Sequence, residues 1–123
     1  MIIGFEKETG TLTEYEKETL IPIFVKCLQR KKGKENAITN KMMCYKMQEC
    51  GYNVCDSRVR KIINYIRVNH LVSGLVASGL GYYVADNPDE IKDYIQSLKG
   101  REEAIRAVRE ALEEQVGLSD NTA

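Results

Sequence analysis

The hydrophobic period of this chain changes at His70, and that change limits the folds open to it. Before it, apolar residues recur at helical spacing in three sets: Leu20, Ile23, Phe24, Cys27 and Leu28; Met43, Cys44, Met47 and Cys50; Val59, Ile62, Ile63 and Ile66. Each set lines one face of a helix and leaves the rest of it polar. After His70, the stretch Leu71–Ala85 holds no charge. Within it, Leu75-Val76-Ala77 and Tyr82-Tyr83-Val84 flank Ser78-Gly79-Leu80-Gly81, which reads as two strands about a glycine-containing turn. Three helices followed by a hairpin make an α+β fold, mainly α.

Local signals place the boundaries. Thr13-Glu14-Tyr15-Glu16 fits a capping box, with Thr13 as cap and Glu16 reaching back to it. The first helix then runs from Glu14 to about Arg30. Pro22 inside it predicts either a kink or a later start near Leu20, with the proline in the first turn. Arg30-Lys31-Lys32-Gly33-Lys34 suits a helix end. Thr39 or Asn40 can cap the second helix, Gly51 closes it, and Tyr52-Asn53-Val54-Cys55 forms a turn. Asp56-Ser57 can cap the third helix. Asn87-Pro88-Asp89-Glu90 opens a last, long helix with a cap, a proline in the first position and acids in the first turn. The expected organisation is an arm over 1–12, one domain over 13–86, a C-terminal helix over 87–116, and a disordered tail over 117–123.

Net charge is zero, but the charges are segregated. Between Ile23 and His70, eleven bases meet three acids; ten of the remaining fifteen acids lie from Asp86 onward. A basic centre between acidic flanks predicts a polyanionic partner. No apolar run approaches the ~20 residues of a membrane span, and no signal pattern opens the chain, so a cytoplasmic protein is expected. Cys27, Cys44, Cys50 and Cys55 form no C-x-x-C pair, so they read as buried free thiols and not as a metal site. The chain shows no phosphate-binding glycine loop, no histidine pair and no nucleophile beside a base. Accordingly no enzyme, cofactor or small-molecule substrate is expected, and His70 reads as a helix-terminal charge or partial core residue.

The pair of helices Asn40–Cys50 and Asp56–Asn69, the turn Gly51–Cys55 between them and the hairpin Val72–Ala85 resemble a winged helix-turn-helix domain. The segments Arg58–Arg67 and Gly81–Ala85, with the long acidic helix behind them, are similar to small winged-helix proteins of phages and prophages. The resemblance implies a three-helix bundle with a β-hairpin wing, double-stranded DNA as partner, and a role in transcription regulation or replication.

If the third helix enters a major groove, residues near its N-terminus read bases while flanking groups hold phosphates. Ser57, Arg58 and Lys61 are then the candidate base-reading residues, with Asn64 suited to adenine if it faces the groove. Arg60 and Arg67, seven apart, are assigned to phosphates, as are Lys41 and Lys46 of the second helix. About five neutralised phosphates give a log–log salt slope near −4.5. The wing tip carries no lysine or arginine, where such wings often place one against the minor groove, while its backbone N–H groups and Ser78 could still meet a phosphate. Whichever of Tyr82 and Tyr83 faces outward could stack on a base, though hairpin packing is the simpler use.

In the last helix, Ile91, Leu98, Ile105 and Leu112 repeat every seven residues, with Tyr94 and Val108 at intermediate places. This partial heptad, interrupted by Gly100, Arg101 and Gln115, predicts dimerisation. The alternative expectation is a protein-interaction adaptor that uses the acidic C-terminal helix as its binding surface.

Overall fold

The computed structural model describes residues 10–117; most of the arm and of the tail lies outside the described residues. Two compact units meet between Asn87 and Pro88.

The first unit opens with the capping box. Thr13 donates its amide to Glu16 Oε1 at 2.8 Å, and Glu16 donates its amide to Thr13 Oγ1 at 3.1 Å. A π-helical turn, Glu16–Leu20, runs directly into α1, Ile21–Gln29. Pro22 lacks a donor, and in regular α geometry its ring would crowd a carbonyl one turn back. The wider π turn, closed by Ile21 N–H donating to Glu16 O, falls where that conflict would arise. The helix is therefore continuous through the proline.

A segment beyond α1, holding a 3₁₀ turn at Lys34–Asn36, leads to α2, Asn40–Glu49. Of the two cap candidates, Thr39 takes the position and accepts from Met42 N at 3.1 Å. The end of α2 follows from Gly51. At φ +88° this glycine turns the chain left-handed, and two bonds satisfy the last carbonyls: Gly51 N to Gln48 O at 3.0 Å and Tyr52 N to Met47 O at 2.9 Å. The turn is pinned to the core by buried Val54, whose carbonyl accepts from Gln48 Nε2 at 3.0 Å.

Helix α3, Asp56–Val68, starts one residue earlier than its expected caps allow. Cys55 occupies the cap position and makes no side-chain capping bond; Asp56 is already helical and acts through its charge in the first turn. At the far end His70 adopts φ +58°, with Leu71 N donating to Ile66 O at 3.0 Å. His70 thus fills the left-handed position that usually takes glycine, and it is exposed rather than part of the core.

Strands β1, Leu75–Ser78, and β2, Gly81–Val84, form a two-stranded antiparallel sheet with Val76 opposite Tyr83 and Ser78 opposite Gly81. The free edge of β2 does not face solvent. Val84 N donates to Lys31 O at 2.7 Å, Gly33 N to Val84 O at 2.9 Å, and Tyr82 and Ile38 exchange amide bonds at 2.8 and 2.9 Å. The chain from Lys31 to Ile38, expected only as a helix terminator, thereby ties the hairpin to the helices. Gly81 makes this approach possible: a Cβ there would lie 2.4 Å from the Ile38 carbonyl.

The core joins Leu20, Phe24 and Leu28 from the first helical stretch to Ile38, Met43 and Met47, and to Val59, Ile62, Ile63 and Ile66 of α3. Val72 and Leu75 close it from the hairpin side. Cys44 is buried, with its thiol pushed up chiefly by desolvation and donating to Val54 O at 3.5 Å. The other cysteines correct the expectation of buried thiols: Cys27 and Cys55 are half-buried and Cys50 is exposed.

The second unit contains α4, Pro88–Gln115, a 28-residue helix about 42 Å long in which no residue is buried. No described helix is long and apolar enough to cross a membrane.

Candidate nucleic-acid interface

The four core residues of α3 define the direction in which the helix presents its remaining side chains. With successive residues about 100° apart, the side opposite Val59, Ile62, Ile63 and Ile66 carries Ser57, Lys61, Asn64 and Val68 in one row. Arg60 and Arg67 flank that row on one side, Tyr65 on the other. Arg60, Asn64, Tyr65 and Val68 are exposed, while Ser57, Lys61 and Arg67 are half-buried. Asn64, left open by spacing alone, therefore belongs to the outward face.

Arg58 does not share that face. It lies about 100° from Ser57, toward the N-terminal segment, and its guanidinium is fully engaged there. Nε donates to Glu16 Oε2 at 2.8 Å, and Nη2 donates to Glu16 Oε1 at 2.6 Å, a bidentate ion pair. Nη1 donates to Gly10 O at 2.9 Å, and Nη2 also donates to Thr11 O at 3.0 Å. The two side chains are only 14% and 7% exposed. Arg58 is thus a bracket between the start of α3 and the start of the first helix, and its expected place among the base-reading residues is corrected. A fork held by a carboxylate and two carbonyls is turned away from a base edge.

Both partners' ionisation follows from this contact. The hydrogen bonds from Arg58 hold the Glu16 carboxyl below its ordinary value against the opposing effect of burial, and Thr13 adds to the lowering. The same bonds raise Arg58 further against its own desolvation. Glu16 thus closes the capping box and neutralises the one cation of α3 that faces inward.

Other basic residues separate as well. Arg67 lies over the Tyr82 ring, its guanidinium carbon 5.8 Å from the centroid, so that it joins α3 to the hairpin. Lys41 is exposed in the first turn of α2. Lys46 is five residues on, about 140° around the helix, and lines a different surface. It shares a groove of about 270 Å³ between α1 and α2 with Lys26, Arg30 and Lys31, over a floor that includes Ile23 and Met47. One phosphate path cannot follow α2 through both lysines, so Lys46 is withdrawn from the α3 set.

Neither hairpin tyrosine offers an exposed ring. Tyr82 is half-buried on the core side with Val84, and Tyr83 is buried on the other face beside Val76. The exposed tyrosines sit at or on helices: Tyr15 at the start of the first helical stretch, Tyr45, 64% exposed, on α2, and Tyr65 on α3. Spacing could have pointed to Tyr45, which falls opposite its helix's buried stripe. Leu80 in the hairpin turn is also exposed.

In α4, Ile91 and Tyr94 are half-buried, while Leu98, Ile105, Val108 and Leu112 are exposed. Among the described residues, no group of three or more histidine, cysteine or carboxylate side chains could hold a metal ion.

No protein-family model, curated protein or solved structure matches this chain.

Proposed function

We propose that the chain is a double-stranded DNA-binding protein of winged helix-turn-helix type, with α3 in the major groove. One observation carries the reading: α3 turns a continuous apolar stripe to the core and a row of Ser57, Lys61 and Asn64, flanked by Arg60, away from it. Lysine and asparagine match purine edges in the groove, and serine donates or accepts on several bases. The element order supports the fold assignment: a helix, a short paired segment, a second helix, a pinned turn, a third helix and a hairpin. Regulation of transcription or replication is the role such a domain serves in this reading, and catalysis has no part in it.

Phosphates fall to Lys41, Arg60 and Arg67. With Lys46 removed from the set, three neutralised phosphates give a salt slope of about −2.7. The test is fluorescence anisotropy on labelled duplex DNA across a salt series. Arg60→Ala is expected to flatten the slope by about 0.9. Arg58→Ala, compared at a temperature where it remains folded, is expected to leave the slope unchanged. Salt-independent binding, or no binding to a randomised duplex pool, overturns the reading. Partner capture that survives nuclease treatment and requires α4 would instead support an adaptor.

A further inference from the structure

We propose that α4 pairs with α4 of a second copy in an antiparallel arrangement of one defined register. The inference rests on α4 alone and stands independently of DNA binding. Ile105, Val108 and Leu112 are 70%, 62% and 55% exposed along one face of a helix in which nothing is buried, and Val116, 69% exposed, follows directly beyond its end. Such a face on an otherwise charged helix calls for a partner. The flanking residues identify it as a second copy and set its direction.

Take Leu98, Ile105 and Leu112 as position a of the heptad, with Arg101, Val108 and Gln115 at d. Glu102 and Arg109 then both fall at e, and Ala104 and Ala111 at g. In a parallel pair each d residue meets its own copy, so Arg101 would oppose Arg101 across the seam. The e residues would meet Ser97 and alanine, leaving Glu102 and Arg109 without a charged partner. Both features disfavour that arrangement.

In an antiparallel pair a meets d, and e meets e. Aligning Ile105 with Val108 of the partner aligns Leu112 with Arg101, whose aliphatic stem can cover leucine while its charge reaches solvent. The same alignment aligns Leu98 with Gln115. It also puts Glu102 beside Arg109 of the partner, twice by symmetry, while Ala104 and Ala111 meet on the other flank and allow close approach. Shifting by one heptad either way brings Glu102 against Glu102 or Arg109 against Arg109. Charge complementarity therefore selects one register of the three. Within a single helix Arg109 reaches only Glu113, at 2.6 Å, and Glu110, at 3.9 Å, so the acidic environment it prefers is already present. In this arrangement Ile91 and Tyr94 lie outside the paired length.

The experiment is sedimentation equilibrium on the full chain, with helicity checked by circular dichroism. The wild type is expected to be a dimer in the micromolar range. Glu102→Arg opposes Arg109 of the partner at both ends and is expected to weaken dimerisation roughly tenfold. Arg109→Glu is expected to do the same, and the double variant to recover most of the loss. A second readout is the distance between spin labels carried at position 92 on an unnatural side chain, which leaves the native cysteines unlabelled. The antiparallel register gives about 44 Å from a rise of 1.5 Å per residue, against roughly 20 Å or less for a parallel pair. A monomeric wild type overturns the proposal. So do single reversals without effect, a double variant no better than the singles, or a short label distance.

Discussion

Replacing Glu16 by glutamine removes a single charge from the junction between the first helix and α3 while keeping the side chain's size. In the native protein that carboxylate accepts from Thr13 N, from Arg58 Nε and from Arg58 Nη2. An amide retains one acceptor, which can still serve Thr13, but its NH₂ group faces a guanidinium that also donates. Arg58, 14% exposed, keeps the Gly10 and Thr11 carbonyls but loses the carboxylate. Removing one member of a buried ion pair costs about 3–5 kcal/mol; with one hydrogen bond kept and two carbonyls in place, about 3 kcal/mol is expected. For a domain of this size that is a fall of roughly 12–24 °C in Tm. The sharper measurement is a double-mutant cycle with Arg58→Met, which exchanges the guanidinium for an apolar chain of similar reach. Urea unfolding followed by tyrosine fluorescence, in a chain without tryptophan, gives the four stabilities. The double variant should be less destabilised than the sum of the singles by about 2–3 kcal/mol. A coupling below about 0.5 kcal/mol, the range of exposed pairs, would refute the bracket and return Arg58 to the candidate DNA contacts. The sign of the pH effect follows from the same contact. Because the folded carboxyl sits below its ordinary value, the pair's contribution is complete above the ordinary carboxylate range. It is lost as pH falls through the lower folded value. Wild type should therefore lose more stability on acidification than Glu16→Gln, and an equal loss in both would count against the assignment.

Three glycine-linked positions give further tests by the same unfolding measurement. Gly81→Ala would place a Cβ 2.4 Å from the Ile38 carbonyl at φ +122°. It should cost at least about 2 kcal/mol and loosen the Lys31–Ile38 segment from β2; amide exchange at Tyr82 and Val84 would report it, and unchanged protection there would contradict the close approach. Gly51→Ala meets no atom within 4 Å, so its cost is conformational alone, about 1 kcal/mol. His70→Gly relieves a left-handed histidine at φ +58° and should stabilise by a few tenths to about 1 kcal/mol; destabilisation would mean that the imidazole makes a contact worth more than the strain.

Periodicity and local chemistry determined much of this protein by themselves. The apolar rows of α1, α2 and α3, the box between Thr13 and Glu16, the stop at Gly51 and the start at Pro88 are short-range features. Their causes lie within four residues along the chain, so spacing and side-chain type suffice to reveal them. Where a local choice had two answers, as for Pro22 or the cap of α2, hydrogen-bond geometry too fine for residue type to encode decided it. The tertiary structure alone decided what the basic residues do. Arg58 and Lys61 look alike in sequence and sit three positions apart, yet one is held by a carboxylate 42 residues away and the other faces outward. Likewise Lys46 was brought into a groove with Lys26, Arg30 and Lys31, and Arg67 was drawn onto Tyr82. Ion pairs, cation–π contacts and the edge pairing of Lys31–Ile38 join residues remote in the chain. Their formation depends on how helices pack, which no local pattern of charge specifies.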